Sequence, residues 1–193
     1  MLKLIFGAFL ALTAQISVAL ESPSAWIETK TDTILAEVSA ADLAVDDRAG
    51  QAELAERVII PNVNVEGIAM RAVGRPWRNV SEKDRARFIA GMKNRMLDLY
   101  GGAFSQFKAA ELEILNERIS KRGDRAIVNT RLRRPGDDWL ATEFRLVVIE
   151  DQWQLLDVAI EGVSLLSSYK AQMDERVERL GLEGAIEEVA AGK

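Results

Sequence analysis

The side chains that could do chemistry in this 193-residue sequence are carboxylates, lysines, arginines and hydroxyls, because it has no cysteine and no histidine. These absences exclude thiolate nucleophiles, disulfides, zinc fingers, Ser-His-Asp triads and imidazole acid–base catalysis. The carboxylate pairs Asp137 and Asp138, and Glu150 and Asp151, fall in predicted turns, where solvated side chains are usual. Ser164 has neither a histidine nor a GxSxG motif around it. An enzyme is therefore the class that the sequence supports least.

Two other groups of residues carry weak signals. Arg131, Arg133 and Arg134 form a small basic cluster at the end of a predicted strand. The cluster could contact a partner or a lipid phosphate, but a solvated hairpin edge is the more common role. Gly101 and Gly102 lack the GxGxxG or GxxxxGK context of a phosphate-binding loop. The formal net charge of −5 argues against a nucleic-acid-binding protein, which needs a basic surface.

The first 19 residues predict a secretory signal peptide. Lys3 supplies a positive charge, an apolar run follows over residues 4–12, and small residues precede a cleavage site after Ala19. The run is too short for a membrane-spanning helix, so an uncleaved anchor is the minor alternative. We expect residues 20–193 to be an exported, soluble, single-domain protein. Because it has no cysteine, its stability must come from packing.

Helices are predicted on both sides of a central group of strands. Apolar residues at helical spacing predict helices over residues 26–38, around residues 54–59 and over residues 63–73, with Pro61 as the first residue of the third. The clearest helix begins at Ser81, with Asp84 as its capping-box partner. Its apolar face consists of Phe88, Met92, Met96, Leu99, Ala103 and Phe107. After the strands, a helix is predicted up to Gly181, and a short helix follows it.

Between residues 112 and 160 the apolar period changes to two, which predicts strands. The alternating runs cover residues 112–114, 126–132, 140–148 and 153–160, and turn signals separate the last three. Successive strands joined by short turns predict an antiparallel meander. The segregation of helices and strands indicates an α+β fold, with a curved antiparallel sheet of four to five strands backed by helices on one face.

Nearly the whole exported part of the sequence resembles the MlaC family of periplasmic phospholipid-binding proteins, also called toluene-tolerance auxiliary proteins. The resemblance lies in residues 58–63, 69–75, 77–78 and 81–88 with Tyr100, and in Trp153 and residues 157–165 with Tyr169, Gln172 and residues 180–186. The sequence departs from the family at four positions. Asn64 and Val65 replace a common Asp-Phe pair, Leu156 a frequent tyrosine and Met173 a usual aromatic residue. We expect these changes to affect the choice of lipid more than the fold.

The resemblance implies a phospholipid carrier with an apolar pocket between sheet and helices. It implies that the protein shuttles lipid between two membrane complexes and so maintains the lipid asymmetry of the outer membrane. The implied partners are an inner-membrane ABC transporter with an MCE-domain subunit and an outer-membrane lipoprotein–porin complex. The resemblance implies phospholipid as the bound ligand. It implies no catalysis, cofactor, metal or stable membrane insertion. We expect the protein to be a monomer.

The candidate pocket lining combines apolar residues of two predicted helices with apolar residues of the sheet and the segment after it. At these spacings such residues are usually ordinary core, so the pattern permits a cavity without showing one. The helical candidates are Val63, Val65, Ile68, Val73, Phe88, Met92 and Met96, and the sheet side consists of Leu146, Val148, Val158 and Leu165.

Two alternatives to a phospholipid carrier stay open at this point. One is a periplasmic protein that binds another apolar ligand, such as a hopanoid or a sterol. The other is a non-transporting structural or regulatory module whose core is filled.

Overall fold

The computed structural model describes residues 20–44, 46–100 and 109–192. The predicted signal peptide lies outside these residues, as do Gly101, Gly102, Ala103 and Phe107 of the predicted long helix and its end. Within the described ranges, no helix combines the length and the apolar composition needed to cross a bilayer.

In the described ranges, four α-helices precede the sheet and one follows it. They are α1 (Pro23–Ala41), α2 (Arg48–Val58), α3 (Val65–Val73), α4 (Glu82–Tyr100) and α5 (Leu165–Ala190). The strands in this part of the chain are β1 (Glu111–Ile119), β2 (Arg125–Arg133), β3 (Leu140–Ile149), β4 (Gln152–Ile160) and β5 (Val163–Ser164). Short 3₁₀ turns cover Ile60–Asn62 and Arg75–Asn79.

The predicted start of the long helix is confirmed by its cap. The Ser81 hydroxyl accepts a hydrogen bond from the Asp84 N–H at 3.1 Å and donates one to the Asp84 carboxylate at 2.6 Å. These bonds satisfy one of the N–H groups that the first turn of a helix leaves free. Helix α4 follows from Glu82.

The predicted start of the third helix at Pro61 is wrong. Pro61 lies in a 3₁₀ turn, Val63 is extended, and α3 begins at Val65, where the Asn64 side chain accepts a hydrogen bond from the Gly67 N–H at 2.7 Å. The reason is a tertiary contact. Val63 forms a parallel bridge with Leu155 of β4, and the Asn64 N–H donates to the Leu155 carbonyl at 2.8 Å. Pairing with the sheet therefore takes precedence over early helix formation.

The strands form one antiparallel sheet in the order β1-β2-β3-β4-β5, which confirms the predicted meander and the α+β class. Two irregularities bend it, one in β1 between Ile114 and Asn116 and one where β3 meets β4 beside Leu146. Such bulges increase the local twist of a sheet. The sheet can therefore curve around material packed on one face.

The two faces of the sheet have different chemistry. Ala126, Val128 and Leu146 are buried on the face that α1 covers with Trp26 and Ile27.

The opposite face carries ion pairs, among them Arg131 with Glu113 at 2.6 Å and Arg133 with Glu111 at 2.8 Å. The guanidinium carbons of these two arginines also lie 4.5 Å from the ring centre of Trp139. Arg134 pairs with Asp137 at 2.6 Å. This basic cluster is thus neutralised by carboxylates, as expected of a hairpin edge.

Helix α5 bends where the sequence predicts a break. Gly181 has φ 73° and ψ 172°, a conformation that side-chain-bearing residues rarely adopt. Glu188, beyond the bend, accepts hydrogen bonds from Arg176 at 3.1 Å and Arg179 at 2.8 Å, both before it. Hydrogen bonds from Arg179 and then Arg176 hold the pKa of the Glu188 carboxyl below its usual value. These charges therefore connect the two parts of α5.

Helices α4 and α5 approach closely at Gly91. A Cβ atom built on Gly91 would lie 2.2 Å from the carbonyl oxygen of Val189. We expect Gly91→Ala to destabilise the protein by about 1–3 kcal/mol because the helices must move apart. This loss should outweigh the gain of up to about 1 kcal/mol that alanine brings to a helix.

Urea unfolding followed by tryptophan fluorescence measures this change. Lys83→Ala, at an exposed position of the same helix, is the control and should stay within about 0.5 kcal/mol of the unaltered protein. Equal or higher stability of Gly91→Ala would show that the helices do not meet as described.

Candidate functional site

A cavity of about 320 Å³ lies between the apolar face of the sheet and the helices. An engineered apolar cavity of roughly 150 Å³ already stays dry and binds a benzene molecule. The space here is about twice as large, which is within the range of ligand-binding cavities. It is therefore a hollow in the core rather than a packing defect.

Helices and their connections form one wall of this cavity. Helix α1 contributes Ile34 and Leu35, and the segment between α2 and α3 contributes Ile59 and Ile60. Met96 of α4 adds an unbranched, flexible side chain, which suits a site that must adapt its shape.

The sheet and the start of α5 form the other wall. The strands contribute Leu112, Leu132, Phe144, Leu155 and Ile160, and α5 contributes Leu166 and Tyr169. Ile160 is 38% exposed and its strand partner Val163 is 62% exposed, so this end of the site faces solvent. The lining is almost wholly hydrocarbon, which favours an apolar ligand.

Among the residues that the structure describes, Asp157 is the one charged residue in the cavity lining, and its side chain is only 1% exposed. Its carboxylate accepts hydrogen bonds from Arg145 at 3.0 Å, from the Ser164 hydroxyl at 2.6 Å and from the Leu166 N–H at 2.9 Å. A buried carboxylate needs such partners. Because Leu166 is in the first turn of α5, Asp157 fastens this helix to β4. Its role here is to position the wall.

The structure brings five of the eleven predicted lining residues to the cavity wall: Val63, Ile68, Met96, Val158 and Leu165. The other six lie elsewhere. Val65 and Val73 are buried in the core between α3, α4 and α5, while Phe88 and Met92 of that core line a smaller cavity. Leu146 is buried in the core beneath α1, and Val148 packs against that core. Which of the eleven contact a ligand stays a prediction.

Sequence reasoning missed the contribution of α1 and of β1. Helical spacing places Ile34 and Leu35 only in a helix, and alternation places Leu112 only in a strand, because neither pattern shows which elements line the same cavity. Asp157 had a detectable signal, since it is a single carboxylate within the apolar segment 155–160. A polar residue inside a buried strand requires a partner.

Comparison with known families decides the assignment. The sequence model of the MlaC protein family matches residues 28–191 of this chain. The chain belongs to the MlaC family. The resemblance seen in the sequence is thereby confirmed, and the match spans all the helices and strands described above except the first residues of α1.

The fold of this MlaC-family protein is also seen in a solved structure. A phospholipid-binding protein from Ralstonia solanacearum, determined in complex with a phospholipid, superimposes with a TM-score of 0.80. It is 20% identical in sequence, and the alignment covers 89% of this chain and 97% of the other. No protein among the curated sequences compared with the chain matches it.

We expect Asp157→Ala to destabilise this protein by about 1.5–3 kcal/mol, because three groups lose a charged hydrogen-bond acceptor. Unfolding in urea measures the loss. Asp137→Ala is the control, since Asp137 forms an exposed pair with Arg134, and such pairs contribute little. If both variants were equally stable, Asp157 would not hold α5 to the sheet.

Proposed function

We propose that this protein is a periplasmic phospholipid carrier whose cavity holds acyl chains while the headgroup stays in water. The observation that carries the proposal is the apolar cavity of about 320 Å³ between the sheet and α1. Its walls suit methylene groups and offer few polar atoms for recognising a polar ligand. The phospholipid-bound protein of the same fold supports this choice of ligand.

The exposed end of the site supports placing the headgroup outside. Ile160 and Val163 face solvent there, whereas Phe144 and Leu156 lie within the wall. A headgroup left in water keeps its hydration and needs no dedicated protein contacts. We therefore expect the carrier to accept several headgroups and to select ligands mainly through the acyl chains.

The family and the predicted signal peptide support a place in the periplasm. There the protein would receive lipid from one membrane complex and deliver it to another. We propose the inner-membrane ABC transporter with its MCE-domain subunit and the outer-membrane lipoprotein–porin complex as these partners. By carrying phospholipid between them, a monomer of this single domain would maintain outer-membrane lipid asymmetry. Transfer by such a carrier needs no bond-breaking step, and no catalytic residue is proposed.

The direct test is to purify the exported protein from cells under native conditions and to analyse it by native mass spectrometry and lipid extraction. We expect phospholipid at about one molecule per chain, with mixed headgroups. Recovery of a hopanoid or a sterol instead would replace phospholipid as the ligand. Protein that is free of lipid and takes up none from phospholipid vesicles would contradict the carrier function.

We expect Leu132→Asp to abolish this lipid uptake, because a carboxylate in the cavity wall either admits water or must become neutral. Uptake of a fluorescent phospholipid from vesicles measures the change, and circular dichroism checks the fold. The matched control is Leu115→Asp, which places the same charge at a leucine that is 52% exposed on β1. Full uptake by folded Leu132→Asp would show that the ligand binds elsewhere.

A further inference from the structure

Tyr169 lines two cavities. It borders the large cavity and also a second one of about 20 Å³, which lies between α4 and α5. Tyr169 is only 8% exposed, so the ring is held within the protein. The start of α5 is fixed by Asp157 and by the Ser164 hydroxyl, which accepts a hydrogen bond from the Ser167 N–H at 3.0 Å. The first turn of α5, which precedes Tyr169, is therefore held against β4.

The small cavity between α4 and α5 has a more polar lining than the large cavity. Its apolar part includes Phe88, Met92 and Met173, and its polar part includes Arg95 and Gln172. Within the described ranges, the buried Nε atom of Arg95 has no hydrogen-bond partner. A cavity of this size holds about one water molecule. Tyr169 thus borders both a hydrocarbon-lined cavity and a small space that is partly polar.

We propose that Tyr169 is the partition that limits how long an acyl chain the large cavity can hold. This inference rests on the proposed function, because it concerns the same cavity. An aromatic ring is rigid, and a chain that reaches it cannot continue towards Met92 and Met173. Any methylene groups beyond that limit would remain in water. Each such group weakens binding roughly fourfold.

The side chains behind the partition show why its removal should lengthen the cavity. Met92 and Met173 are unbranched and can change their conformation to admit a chain end. Phe88 is fully buried beside them and keeps an apolar surface. Replacing the ring by a leucine side chain would join the two spaces while leaving the partition site apolar. The shape of the ring, rather than its hydroxyl, is the feature that sets the limit.

The test compares Tyr169→Leu with Tyr169→Phe in the full exported protein. Each variant is incubated with vesicles of phosphatidylglycerols in equal amounts and of stepwise increasing chain length, and the bound lipids are measured by mass spectrometry. We expect Tyr169→Leu to shift the bound lipids to longer chains, by up to roughly fourfold for each methylene newly buried. Tyr169→Phe keeps the ring and should bind the same chains as the unaltered protein.

Two further variants test the partition if Tyr169→Leu fails to fold, and test whether refilling the space reverses the shift. If Tyr169→Leu does not fold, Tyr169→Met replaces it and should give the same shift. Adding Met173→Phe to Tyr169→Leu refills the space behind the ring and should restore the original chain lengths.

An unchanged chain profile in folded Tyr169→Leu or Tyr169→Met would overturn the partition, and so would loss of all lipid without a shift. If the unaltered protein itself bound no lipid, the proposed function would fail instead, so the two failures are distinguishable.

Discussion

The structure depends on the cost of placing hydrocarbon in water. A two-chain phospholipid exposes roughly thirty methylenes at about 0.8 kcal/mol each, so on the order of 20 kcal/mol opposes its free passage through water. A protein that lowers this barrier must enclose apolar space without collapsing onto it. In this chain α1 covers the sheet tightly with Trp26 and Ile27, whereas beside Ile34 and Leu35 the same face borders a cavity.

Polar contacts outside the hydrocarbon keep this space open. Asp157 holds the start of α5 against β4, and the bridge between Val63 and Leu155 holds the segment before α3 against the same strand. On the far face of the sheet, ion pairs such as Arg131 with Glu113 leave that surface to solvent. The walls are thus anchored by hydrogen bonds at the edges, while most of the side chains that line the cavity are hydrocarbon.

Periodicity predicted the elements well but could not predict the cavity. The helix after Ser81 and the antiparallel meander follow from spacing and turn residues, which are local properties. The start of α3 does not follow from local spacing, because it depends on pairing between Val63 and Leu155, which are distant in sequence. The same limit applies to the lining. Ile68 and Val73 lie on one helix and are both buried, yet only Ile68 borders the large cavity. Burial is encoded in the pattern, whereas a void depends on how distant elements pack.

The central claim is that an acyl chain lies between α1 and the sheet. The measurement that tests it most directly is methyl NMR of the protein loaded with a phospholipid spin-labelled near the end of one chain. The account predicts strong broadening of the methyl signals of Ile34, Leu132 and Leu156, and sharp signals from the exposed Leu115 and Ile119. Broadening confined to the exposed residues, with sharp signals from the cavity, would contradict it.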